Sequence, residues 1–136
     1  MKTTFLATLT IAAALLIGVP VQAHHSFSAE FDVDKPVTLR GTLTKMEWVN
    51  PHGWIYVDVK RADGKVENWA IETGAPNAML RRGLRKTDFV LGTEVVITGF
   101  LAKNGTRTAN GATVKLSDGR EFFAGSSGTT PGGEGN

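Results

Sequence analysis

Three histidines, His24, His25 and His52, carry most of the chemistry this sequence could perform. His24 and His25 follow an apolar stretch that ends in Val21-Gln22-Ala23. Small residues at that spacing, after a helix-breaking Pro20, form a leader-peptidase site. Cleavage after Ala23 makes His24 the first residue of the mature chain. A free α-amine titrates near pH 8 and is a usable ligand near neutrality. An amine with neighbouring imidazoles suits copper(II), with zinc or nickel as weaker alternatives. If His52 joined them, the result would resemble a histidine brace, with the terminal amine and a ring chelating one ion. The spacing differs from the Xaa-Xaa-His copper motif, because the histidines stand first and second. Glu30, Asp32 and Asp34 could add oxygen ligands, but acids alternating along an arm also serve simply to solvate it. The plain alternative is a polar arm and a His52 that only hydrogen-bonds its own turn.

A second set of candidates is aromatic. Trp54 and Tyr56 fall on the strand face opposite Ile55, Val57 and Val59, where they could form a platform for an oligosaccharide or a peptide; alternatively they cover the core beneath the N-terminal arm. Hydrolytic chemistry finds no support. The chain has no cysteine, no G-x-S-x-G, no HExxH and no Gly-rich phosphate loop. Ser26 beside His25 is adjacency, not a triad. No catalytic residue is expected, and the chain reads as a non-enzyme.

The leader sets the compartment. Lys2 is the only charge before Glu30, and the apolar run from Phe5 to Val19 is shorter than a membrane span. Residues 1–23 are therefore expected to be a signal peptide and the mature protein periplasmic, with no membrane contact after cleavage. Without cysteines, burial alone must hold the fold. With 15 basic and 13 acidic residues interspersed, nothing points to a nucleic-acid partner.

The elements that must position these residues are mostly strands. Residues 24–36 read as an arm. Val37 to Val49 reads as one long strand whose alternation slips near Thr44-Lys45, the mark of a β-bulge; Gly41 could let it bend. Asn50-Pro51-His52-Gly53 is a turn. Trp54 to Lys60 and Val66 to Glu72 form a hairpin around Asp63-Gly64. A short helix beginning at Pro76 comes next, and its basic residues Arg81, Arg82, Arg85 and Lys86 are expected in solvent. Glu94 to Leu101 is the fourth strand. Asn104-Gly105 and Asn110-Gly111 bracket a polar loop, Ala112 to Leu116 is the fifth strand, and Glu121 to Phe123 pairs back on it. Residues 37–123 thus make one mainly β domain, an OB-fold-like five-stranded barrel with one short helix between strands three and four. A two-sheet sandwich is the alternative. Val37, Leu39, Leu43, Ile55, Val57, Val59, Trp69, Ile71, Val95 and Ile97 should be its core. Residues 124–136, poor in bulky side chains, are expected to be a disordered tail.

The HHSFSAEFD start, the G-T-L-T-K-M-E-W-V-N-P-H-G-W-I strand and the late L-S-D-G-R-E-F resemble a family of small exported bacterial proteins classed as a domain of unknown function. The resemblance implies a small periplasmic β-rich domain and no particular activity. Three functions stay open: a non-catalytic periplasmic binding or accessory module for an unknown ligand or protein, a copper-binding protein using His24, His25 and His52, and an oligosaccharide- or peptide-binding domain using Trp54 and Tyr56.

Overall fold

A computed structural model of the chain describes residues 27–126. The expected signal peptide, His24, His25 and residues 127–136 of the expected tail lie outside the described residues. The fold is mainly β. In chain order it comprises α1 (Phe27–Glu30), β1 (Phe31–Glu47), β2 (Trp54–Lys60), β3 (Val66–Glu72), α2 (Pro76–Arg81), β4 (Glu94–Ala102), β5 (Thr108–Lys115) and β6 (Glu121–Phe123). All six strands belong to one sheet, so the two-sheet alternative is set aside. Neighbours pair antiparallel in the order β3-β2-β1-β4-β5-β6, and a parallel pairing of β3 with β5 closes the first five into a ring.

The length and curvature of β1 make that ring possible. Its first half pairs with β4, from Pro36 opposite Phe100 to Thr42 opposite Glu94. Its second half pairs with β2, from Thr42 opposite Asp58 to Glu47 opposite Trp54. The hand-over occurs around Gly41, where an added Cβ would lie 2.5 Å from the Asp58 carbonyl oxygen. The register then slips between Leu43 and Lys45, so Thr44 is the extra residue that the broken alternation indicated. The slip rotates Met46 and Trp48 inward, and both pack against the core.

Leu39, Leu43, Ile55, Val57, Ile71, Val95 and Ile97 are buried as expected, whereas Val37, Val59 and Trp69 are half-buried at the edge of the same core. Met79, Leu84, Val114 and Leu116 complete it. Arg81, Arg82, Arg85 and Lys86 are exposed.

Three expectations need correction. β1 starts at Phe31, so the last six residues of the expected arm belong to the strand; Lys35 interrupts the apolar positions Phe31, Val33, Val37 and Leu39, and the nearby acids made the segment read as a solvated arm. β5 starts at Thr108, so Asn110-Gly111 lies inside a strand rather than in a loop. Gly111 is there because β5 crosses the core closely: an added Cβ would meet Ile71 Cγ2 at 2.9 Å. Finally, residues 124–126 are not tail. The Ala124 N–H donates to Ala112 O (2.9 Å), its carbonyl accepts from Gly74 N–H (2.8 Å), and Gly125 O accepts from Arg82 Nη1 (2.7 Å). Ala124 and Gly125 are buried in a seam between β5 and the chain after β3.

A single-turn 3₁₀ segment, Lys86–Asp88, leads from α2 towards β4. Asp88 anchors it: one carboxylate oxygen accepts the Arg85 backbone N–H (2.7 Å) and the other accepts Arg120 Nη2 (2.9 Å). The Arg85 hydrogen bond first, and the Arg120 guanidinium after it, hold this carboxyl below the usual range. A depressed folded-state value contributes stability that is full above the ordinary carboxylate range and is lost as pH falls through it. Asp88→Asn is expected to cost about 1 kcal/mol in urea unfolding at pH 7, and the gap to wild type should narrow by pH 3. An equal gap at both pH values would contradict this role.

Candidate functional site

The curvature of β1 brings its two ends to one place. Phe31, at its start, and Pro51 and His52, just after its end, line the same small cavity of about 110 Å³ together with Phe27, Glu30, Glu72, Asn110 and Ser126.

Local sequence explains why each group sits there. Gly53 lets the chain after His52 lie against the end of β3. Its N–H donates to Gly74 O (3.2 Å), its carbonyl accepts from Thr73 N–H (2.8 Å), and an added Cβ would come within 2.7 Å of Thr73 Oγ1. This clamp sets the His52 ring beside the end of β3. His52 Nδ1 lies 3.3 Å from Thr73 O in a hydrogen bond and 3.1 Å from Glu72 Oε1. The Glu72 side chain is only 12% exposed and that of His52 34%, so the pair is largely shielded while the ring still reaches the cavity. Asn110, fully buried on β5 opposite Glu72, directs its Nδ2 at Glu72 Oε1 and Ser126 Oγ, each at 3.5 Å.

The helical turn α1 is tied to this end by several contacts. The Phe27 ring stacks on Phe31 and meets Phe100 edge-on, both at 5.7 Å between centroids. Lys103 fixes the backbone, its Nζ donating to Ser28 O (2.6 Å) and its N–H to Glu30 O (2.8 Å). Phe27, two residues after His25, is thereby held at the cavity wall. Among the described residues, no three histidine, aspartate or glutamate side chains gather as a metal site. His52 and Glu72 supply two such groups, and Glu30 lines the cavity with them. Asp32 lies elsewhere, paired with Lys35 at 3.4 Å.

Trp54 and Tyr56 do not share one environment. Trp54 lines a larger groove of about 580 Å³ with Ala29, Glu30, Phe31, Glu72, Lys103 and Thr108, adjoining the His52 cavity. Tyr56 belongs to a surface cluster: its hydroxyl donates to Glu47 Oε2 (3.0 Å), and Lys45 Nζ sits 5.1 Å from its ring centroid. Partial burial, and then the Glu47 carboxylate, push its phenol above the ordinary value.

Glu72 and Asn110 were not foreseen as site residues. For Glu72 a signal existed: the Asp63-Gly64 hairpin fixes Trp54 opposite Glu72, which puts His52 beside the end of β3. For Asn110 the Asn-Gly pair pointed the wrong way.

Together these features define a small, mainly β, ring-closed domain with a histidine–carboxylate pair at the mouth of a cavity. Residues 13–112 match a family of unknown function (DUF6152), and the chain belongs to that family. No curated protein and no solved structure matches it.

Proposed function

We propose that this is an exported, periplasmic, non-catalytic binding module of the OB-fold type whose ligand is Cu(II). The processed N-terminus would bind it through the His24 amine and ring, with His25 and His52 as further ligands. One observation carries the reading: Phe27, His52 and Glu72 line one cavity. Consecutive Cα atoms are 3.8 Å apart, so the His25 Cα can be no more than about 7.6 Å from that of Phe27. That short link supports a site in which the N-terminal pair and His52 act together. Nitrogen donors in this number favour Cu(II) over harder cations. The strand order, a ring 1-2-3-5-4 with α2 between β3 and β4, supports the OB-fold assignment.

The test is a Cu(II) titration of the chain beginning at His24, followed by electron paramagnetic resonance. One equivalent should bind with nitrogen couplings, and His52→Ala should lose affinity by more than about tenfold while remaining folded. Unchanged affinity in His52→Ala would remove His52 from the site. The Trp54 groove favours a second reading, an oligosaccharide or peptide ligand. Saturable tryptophan quenching by such a ligand, absent in Trp54→Phe and accompanied by no Cu(II) uptake, would select it instead.

A further inference from the structure

From the His52 contacts we infer that Glu72 is a positioning residue: with the Thr73 carbonyl it fixes His52 as the Nδ1–H tautomer, leaving Nε2 as its metal-binding nitrogen. The ligand role of Nε2 rests on the copper reading; the tautomer does not.

Donors and acceptors decide the tautomer. Nδ1 faces two oxygens, Thr73 O at 3.3 Å and Glu72 Oε1 at 3.1 Å. A backbone carbonyl has no proton to give, so that contact is favourable only if Nδ1 carries one. The carboxylate makes the same demand more strongly, because it is charged. A histidine side chain free in water prefers the other tautomer, with the proton on Nε2. The protein therefore reverses the intrinsic choice. In the neutral ring the nitrogen with the lone pair is then Nε2, and only a lone pair can bind a metal.

Glu72 is itself held in place. Its backbone is in register with Trp54 on one side and Asn110 on the other, and Asn110 Nδ2 points at the same Oε1 that faces His52. Gly53 fixes the approach from the other direction through its two backbone hydrogen bonds. The ring is thus oriented by three strand ends, not by one flexible side chain. A carboxylate behind a ligating imidazole also raises the basicity of the far nitrogen, and loss of such a partner typically weakens metal binding about 10- to 100-fold.

The experiment has two arms. The first is long-range ¹H–¹⁵N correlation of the metal-free protein starting at His24, at a pH where His52 is neutral. The expected pattern is a protonated Nδ1 and a lone-pair Nε2; a dominant Nε2–H form would overturn the inference without touching the copper reading. The second is Cu(II) affinity in Glu72→Gln, which keeps shape but removes charge. A loss of about 10- to 100-fold is expected, with the Nδ1–H signature weakened in the same variant. If the wild type binds Cu(II) and Glu72→Gln binds it equally well, Glu72 does not position the ligand. If the wild type shows the Nδ1–H form but takes up no Cu(II), the copper reading falls, and the ligand role of Nε2 falls with it.

Discussion

A protein whose His24 α-amine is blocked by acetylation is expected to bind Cu(II) at least about 100-fold more weakly than the same protein with that amine free. Loss of an outer-shell partner already costs up to about 100-fold, and here a direct ligand is removed. Acetylation converts the α-amine into an amide, which holds no basic lone pair, and supplies no new amine, while both imidazoles remain. A single added residue would not serve, because it moves the histidines to second and third place and creates the Xaa-Xaa-His copper motif. The comparison therefore separates an N-terminal chelate from a site built of imidazoles alone. Acidification adds a second signature. Protons compete for the amine and the rings, so affinity should fall steadily below neutrality. Both can be measured by competition against a chromophoric copper chelator from pH 8 to pH 5. Equal affinity of the two proteins would end the N-terminal mechanism. Equal affinity at both ends of the pH range would remove the nitrogen ligands altogether.

The sequence displayed some of this site and concealed the rest for identifiable reasons. The bulge at Thr44 was legible because a period-2 pattern that loses phase has few other causes, and β1 does slip there. The β2–β3 hairpin was legible because Asp63-Gly64 sets its register, and that register places His52 next to Thr73 and Glu72. The start of β1 was not, since after the buried Phe31 the residues from Asp32 to Pro36 are largely exposed and Lys35 interrupts the apolar positions. Asn110-Gly111 was misread for a deeper reason. Glycine marks both turns and close backbone approaches, and only the three-dimensional neighbours decide between them. Ala124 and Gly125 were lost to composition: small residues that look unable to repay their ordering entropy can be the ones that a narrow seam selects.

The same ambiguity makes Gly99 a sharp test of how the fold builds the site. Gly99 is buried on β4 and its register with β5 breaks between Thr98 and Gly99. An added Cβ would lie 2.1 Å from Asn110 O and 3.0 Å from the carbonyl carbon, far inside van der Waals distance and against backbone rather than a side chain that could turn away. Gly99→Ala must therefore push β4 and β5 apart. Overpacking of this kind costs typically about 1–3 kcal/mol, and a clash with backbone should fall at or above the upper figure. The displacement would not stay local. Asn110 is the residue pushed, and its Nδ2 faces Glu72 Oε1, which faces His52 Nδ1. Urea unfolding should show a loss of about 3 kcal/mol or more for Gly99→Ala. Relief cannot come from Gly111, whose Cα lies 3.2 Å from the same added Cβ and which has no side chain to move. In the folded fraction of Gly99→Ala, the His52 Nδ1–H signature should weaken alongside stability. For comparison, Gly105, which has open space around its Cβ position but a φ of 74°, should respond to alanine with modest backbone strain and an unchanged His52 ring. A Gly99→Ala protein as stable as wild type would mean that β4 and β5 can separate freely, and that Asn110 is not what holds Glu72 at the cavity.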